Sequence, residues 1–166
     1  MTLKDLQTLF DYDRWATDRI LEIVGTLADD HYTKNLGSSH GGIHGTLVHM
    51  IAANRIWLDR WKGKNPESLF RAEDFPTLED LRKEWNMWNE EMQAYLGGLD
   101  DRRLQEPLSY KDLKGNSHSQ VLGLQLQHLV NHSTYHRGQV VVLLRLLGVK
   151  PVSTDMINYF RLQNGS

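Results

Sequence analysis

The longest helical pattern of the chain is QVLGLQLQHLVNHSTYHRGQVVVLLRLLG, which occupies residues 120–148. Apolar side chains recur in it at the three- and four-residue spacings of one helix face, from Leu122 through Leu129 to Leu147. Gly148, followed by Pro151, marks its end. The pattern predicts a helix over about residues 120–147, which is long for a globular domain.

Three further stretches predict helices of about 20 residues each, the first and third amphipathic and the second apolar all round its axis. The first covers 2–25, with Thr2 as its N-terminal cap, the second covers 43–61, and the third follows the cap Thr77 and ends at 97. No stretch alternates apolar and polar residues over the length of a long strand. We therefore predict an all-α fold, a four-helix bundle in a single domain over residues 1–166.

The connections between these helices are polar and rich in Gly and Ser. Residues Leu27–Gly42 and Lys64–Phe75 are predicted loops. The connection Leu99–Ser119 is long enough to suggest local structure, and Lys114–Gly115 is a turn signal that predicts a short hairpin. The tail 154–163, TDMINYFRLQ, is expected to form a last helical turn against the bundle.

The composition limits the chemistry that this chain can perform. Its 166 residues include eight histidines and no cysteine, so any transition-metal site must use imidazole and carboxylate ligands. The 19 basic and 21 acidic residues nearly cancel, which gives no basis for nucleic acid or an anionic membrane as a partner. Without a signal-peptide pattern or a long apolar run, we expect a cytoplasmic protein.

The fourth helix carries His128, His132 and His136 at intervals of four residues. Each step of four moves the side chain ~40° around the helix and ~6 Å along it, so only adjacent histidines can reach one metal ion. With Leu129 set at 0°, His136 and His132 fall at about −20° and −60°, within the apolar seam, and His128 falls on its flank. The pattern favours His132 and His136 as an internal pair, because buried imidazoles need a partner.

A metal ion needs at least a third protein ligand. His40, His44 and His49 are the candidates, and helix geometry does not choose between them strongly, because the second helix is apolar on both sides. His44 and His49 lie ~140° apart and cannot share a site. His40 is expected in a loop, and His31 and His118 are interpreted as solvated.

Several residues near these histidines are candidates for supporting roles. Tyr12 and Asp13 are on the first helix and could line the same cavity, although core packing for Tyr12 and solvation for Asp13 are the simpler interpretations. Asn131 and Gln139 are candidate hydrogen-bond partners of the ligands. Arg137 points ~100° away from His136, which favours a surface or interface salt bridge.

Trp57 and Trp61 are four residues apart on the second helix. They lie on the side of that helix away from His49, and we predict that they belong to a dimer surface.

Four segments of the chain carry a family resemblance. They are LFDYDRWATDRIL (9–21), GTLVHMIAANRIWLDRWKG (45–63), HLVNHSTYHRGQV (128–140) and TDMINYF (154–160). Together they resemble the DinB/YfiT-like family of bacterial metal-binding four-helix bundles, and the resemblance covers essentially the whole chain.

The resemblance implies an up-down-down-up bundle that holds one divalent transition metal, nickel or zinc, on His49, His132 and His136. It also implies a homodimer, and a thiol-dependent S-transferase activity of the kind that uses low-molecular-weight thiols. Asn54 departs from the family pattern, which often has an acidic residue there. This departure leaves the ligands unchanged but alters the charge around them.

Three functions remain open at this point. The first is a metal-dependent enzyme, a small-thiol S-transferase. The second is a non-catalytic, stress-linked metal-binding and interaction protein, and the third is a metal-dependent hydrolase. A di-iron carboxylate bundle would need Glu-x-x-His pairs, and the sequence contains none.

Overall fold

A computed structural model describes residues 1–163 of the chain and shows a mostly helical protein. Four long helices and two short ones are joined by loops and one hairpin. Their bounds are α1 Leu3–Val24, α2 Asp29–Thr33, α3 Ile43–Trp61, α4 Leu78–Gly97, β1 Pro107–Lys111, β2 Ser117–Val121, α5 Leu122–Leu146 and α6 Met156–Gln163.

The predicted caps fix where two of the long helices begin. The hydroxyl of Thr2 accepts a hydrogen bond from the Asp5 backbone N–H, and the Asp5 carboxylate accepts one from the Thr2 backbone N–H. Thr77 caps α4 by accepting from the backbone N–H of Asp80 at 3.2 Å. These bonds satisfy N–H groups that have no partner within the helix.

The long connection before α5 contains the short hairpin that the sequence predicts, so a small two-stranded sheet accompanies the helices of this mostly helical fold. β1 and β2 pair antiparallel, with Tyr110 opposite His118. Gly115 adopts a φ of +84° in the turn, a conformation that glycine accepts readily. Because β2 extends to Val121, α5 begins two residues later than predicted.

The four long helices contact one another in a ring: α1 packs on α5, α5 on α3, α3 on α4, and α4 on α1. α3 and α4 run in the same direction. Arg55 pairs with Glu84 at 2.6 Å and Lys62, seven residues further along α3, pairs with Glu91, seven residues further along α4, at 2.6 Å. The ring encloses a core in which Leu126 and other apolar side chains of all four helices are buried.

Trp61, one of the two tryptophans predicted on a dimer surface, is buried within its own chain. Trp61 is only 5 % exposed, and its indole N–H donates to Gln125 Oε1 at 3.1 Å. Its assignment to an intermolecular surface was therefore wrong, because α5 of the same chain already buries it. Trp57 is half-buried. The homodimer stays a prediction.

The C-terminal tail folds back on the helices as predicted. Tyr159 of α6 is buried, and its ring centroid lies 6.0 Å from that of Tyr12 and 5.6 Å from that of Trp15. Within residues 1–163, none of the helices has both the length and the apolar character needed to cross a membrane.

Candidate metal centre

Three histidines from two packed helices meet inside the protein. His49 lies near the middle of α3, and His132 and His136 lie one turn apart on α5. The Nε2 atom of His132 is 3.2 Å from Nε2 of His49 and 3.1 Å from Nε2 of His136. The structure thus brings the three predicted ligands together.

The hydrogen bonds of this cluster are incomplete without a further group. Nδ1 of His136 lies 2.7 Å from Gln139 Oε1, which can only accept, so Nδ1 carries the proton and Nε2 presents a lone pair. A single proton on His132 Nε2 can bridge to His49 or to His136, but not to both. One nitrogen-to-nitrogen contact therefore remains unbridged in the neutral cluster, which is costly in a buried site.

Burial keeps these imidazoles neutral near neutral pH. It lowers the pKa of His49 to about 4 and that of His132 to about 3, and the neighbouring histidines add to both effects. Burial also lowers the pKa of His136, against the opposing effect of Gln139. Neutral imidazole is the form that binds metal ions, so the site does not need to lose protons first.

The separation of the nitrogens fits a single metal ion. Bonds of about 2.1 Å from a tetrahedral or octahedral ion place neighbouring ligand nitrogens about 3.0–3.4 Å apart. The two observed separations, 3.1 and 3.2 Å, fall in that interval. An ion at this point would also satisfy all three lone pairs at once, which a proton cannot do.

A fourth histidine, His40, joins the cluster; the sequence makes it a candidate for the third ligand but does not favour it over His49. His40 is in a loop, as expected, but its ring stacks on that of His49 with centroids 4.0 Å apart and an angle of 16°. Single ligand nitrogens of His40, His49 and His136 lie within 4.8 Å of one another. The polar, glycine-rich surroundings of His40 gave no signal of this position, because the path of a loop is set by tertiary contacts.

The remaining histidines lie outside the cluster. His44 contacts the backbone carbonyl of Phe75 at 2.8 Å. His118 contacts Asp112 at 3.1 Å within the hairpin. His128 is exposed, and its ring lies against Trp57 with centroids 5.5 Å apart.

Two charged residues that the sequence places at the surface are buried between α1 and α5. Asp13 and Arg137 are each 1 % exposed, and the Arg137 guanidinium donates to the Asp13 carboxylate and to Thr17. Burial raises the pKa of Asp13, and the contact with Arg137 opposes that effect. The surface interpretation was wrong because α1 covers the flank of α5 that carries Arg137.

The other candidate neighbours divide between two regions. Gln139 contacts His136 directly, whereas Tyr12 and Asn131 line a separate cavity of about 740 Å³ that contains none of the four histidines. Tyr12 is 3 % exposed, and its hydroxyl donates to the Thr154 carbonyl. Asn54 is buried, and its side chain has no hydrogen-bond partner within residues 1–163.

These features define a class of protein: a mostly helical chain with an all-histidine candidate metal centre between two long helices. The sequence profile of the DinB family matches residues 1–165, so the chain belongs to the DinB family.

Individual relatives agree with this assignment. Protein DinB of Bacillus subtilis (strain 168) is 26 % identical over 157 residues, which cover 89 % of this chain and 88 % of that protein. The crystal structure of a DinB-like protein from Bacillus cereus ATCC 10987 superposes with a TM-score of 0.61 and 19 % identity. The alignment covers 92 % of this chain and 97 % of that one, which supports a shared fold.

Proposed function

We propose that this protein binds one divalent transition metal ion on His49, His132 and His136. The observation that carries the proposal is the convergence of three Nε2 atoms at separations of 3.1 and 3.2 Å, from two helices that pack against each other. Imidazole suits several transition metals, and we propose nickel or zinc, the metals implied by the family resemblance.

We further propose that the bound ion serves an enzyme, a small-thiol S-transferase. A divalent ion on three neutral imidazoles keeps its full charge and would favour the ionised form of a thiol or water molecule. The chain has no cysteine, so the reacting thiol must arrive with the substrate. His40, His49 and His132 are only partly buried, so the centre is not sealed from solvent.

The residues of the chain have distinct tasks in this proposal. His49 and His132 hold the ion from opposite helices, and Gln139 fixes the orientation and tautomer of His136. The buried pair of Asp13 and Arg137 holds α1 against the helix that carries two of the ligands. These groups orient the ligands of the ion, and none of them is given the role of an acid or a base.

The up-down-down-up order of a four-helix bundle is part of the same proposal. The antiparallel arrangement of α1 and α4 supports it. Asp11 pairs with Gln93, whereas Asp18, further along α1, pairs with Trp85, which comes earlier on α4. The parallel contacts of α3 with α4 agree with this order as well.

Metal analysis of protein purified without an affinity tag tests the metal site. We expect stoichiometric nickel or zinc after reconstitution, and loss of that binding in His132→Ala with the helical circular dichroism retained. Substoichiometric metal in the reconstituted wild-type protein would overturn the proposal.

Thiol-transfer assays test the activity. With several small thiols and one electrophilic acceptor, we expect turnover that requires both the ion and His132. Turnover of an ester in the absence of any thiol would favour the hydrolase instead. Metal binding without turnover of either kind would favour the non-catalytic binding protein.

A further inference from the structure

His40 occupies the tip of a tight turn between α2 and α3. The backbone N–H of Gly41 donates to the Ser38 carbonyl at 2.9 Å, which closes the turn, and Gly41 adopts a φ of +80°. A side chain would be strained at Gly41. The turn therefore presents His40 from a loop, whereas His49, His132 and His136 project from long helices.

The ring of His40 has contacts in the cluster but no hydrogen bond of its own. It lies parallel to the His49 ring at 4.0 Å and edge-on to the His136 ring at 5.4 Å. Within residues 1–163, neither of its ring nitrogens makes a hydrogen bond. A ligand nitrogen of His40 lies within 4.8 Å of one on His49 and one on His136, a separation that a small movement of the loop would shorten to that of neighbouring ligands.

A glycine in the first turn of α3 permits this placement. A Cβ atom at Gly45 would lie 2.0 Å from the backbone carbonyl oxygen of His40, far closer than atoms can approach. The loop can therefore rest against α3, with His40 over His49, only because residue 45 has no side chain. A substitution at Gly45 would therefore displace His40 without changing any imidazole.

We propose that His40 is a fourth, displaceable imidazole donor to the metal ion. In the resting protein it completes an all-nitrogen set of four, and its release opens the position that an incoming ligand takes. It is suited to this exchange because a loop carries it, whereas packed helices hold the other three donors. The inference rests on the proposed metal site and adds how that site is closed and opened.

Cobalt(II) titration of the metal-free full-length protein tests the fourth donor. Four-coordinate cobalt absorbs visible light much more strongly than six-coordinate cobalt, so the spectrum reports the number of ligands. We expect His40→Ala to weaken cobalt binding by about tenfold or more, the scale seen when one supporting group at a metal site is lost. We also expect a weaker visible spectrum, which added imidazole restores. His31→Ala, a histidine outside the cluster, should match the wild type.

Two further measurements separate a ligand from a packing residue. Gly45→Ala retains all four imidazoles but displaces the His40 backbone, so it should reproduce the spectrum of His40→Ala. With 2-mercaptoethanol as the probe, the sulfur-to-cobalt charge-transfer band should form at lower thiol concentration in His40→Ala than in the wild type, because the competing imidazole is gone.

The outcomes distinguish this inference from the proposal beneath it. If His40→Ala binds cobalt with the wild-type affinity and spectrum while His132→Ala does not bind, the fourth donor is refuted and the three-histidine site stands. If the wild-type protein itself binds no cobalt, nickel or zinc, the metal site fails and the inference fails with it.

Discussion

At the scale of single residues, the contact between Gln139 and His136 makes one imidazole a better metal ligand. Since Gln139 Oε1 lies 2.7 Å from Nδ1, it holds the proton there and leaves Nε2 free. Such outer partners commonly contribute 10–100-fold to metal affinity. We expect Gln139→Ala to weaken zinc binding by about that factor, whereas Gln139→Glu, which still accepts from Nδ1, should retain most of it.

A competition titration with a chromophoric zinc chelator would measure this change. Gln127→Ala serves as the control, because Gln127 is an exposed glutamine on the same helix and lies outside the cluster. Equal affinities for Gln139→Ala and Gln127→Ala would show that the contact does not matter.

The low pKa values of His49 and His132 make the metal-free protein sensitive to acid. An unfolded histidine takes up its proton below pH about 6.5, whereas the folded protein resists protonation until pH about 4 for His49 and about 3 for His132. The unfolded state thus binds more protons across this window. The free energy of unfolding should therefore fall as the pH drops from about 6.5 to about 4 through both groups, and on to about 3 through His132 alone. Above pH about 6.5 these two groups should not change it.

Urea denaturation of chelator-treated protein at several pH values tests this expectation. The slope of stability against pH should be shallower in His132→Asn, which removes one of the two groups, and unchanged in His31→Asn. If the wild type and His132→Asn have the same slope below pH 6.5, the expectation is wrong.

At the scale of secondary structure, one buried ion pair joins α1 to α5. Asp13 and Arg137 are both 1 % exposed, so removing one charge leaves the other buried without its partner. Such a loss typically costs about 3–5 kcal/mol, whereas replacing both partners by apolar residues costs less. We expect Asp13→Asn to destabilise the protein by about that amount, and Asp13→Leu combined with Arg137→Leu to cost less than the sum of the single changes.

Chemical denaturation of the metal-free proteins provides the free energies of unfolding. Asp11→Asn is the matched control, because it makes the same change at an exposed position of α1 and should alter stability by about 0.5 kcal/mol or less. Additive effects of the two single changes would contradict a coupled pair.

The elements show which parts of this structure a sequence can reveal. The bounds of α3 and α4 followed from apolar periodicity and the cap Thr77, and the hairpin followed from the turn at Gly115, because these signals are local. The burial of Arg137 did not follow, since a helix wheel measures its angle from one seam, and α5 is covered by both α1 and α3.

The position of His40 was the least predictable feature of the site. It depends on two glycines that lie apart in the sequence: Gly41, which allows the turn, and Gly45, which allows the loop to approach α3. His132 and His136 were predictable because their spacing and seam position are properties of a single helix. The choice of His49 came from family resemblance, as its own helix is apolar on both sides.

At the scale of the whole molecule, the candidate centre links α3 to α5, so a bound ion should stabilise the entire fold. Binding to the folded state alone adds about 2.7 kcal/mol when the free ion exceeds its Kd a hundredfold. For a chain of this length, that corresponds to a rise in Tm of about 5–11 °C.

Differential scanning calorimetry with zinc, then with excess chelator, should show this rise and its reversal. His49→Ala should abolish the rise, because the two helix ligands that remain, His132 and His136, both lie on α5 and cannot join it to α3. His132→Ala should abolish it too, because a metal site needs at least three protein ligands to hold its ion tightly. His31→Ala should retain it. An equal rise in wild type and His132→Ala would mean that the stabilising ion binds elsewhere, and the absence of any rise in wild type would mean that no ion joins these helices.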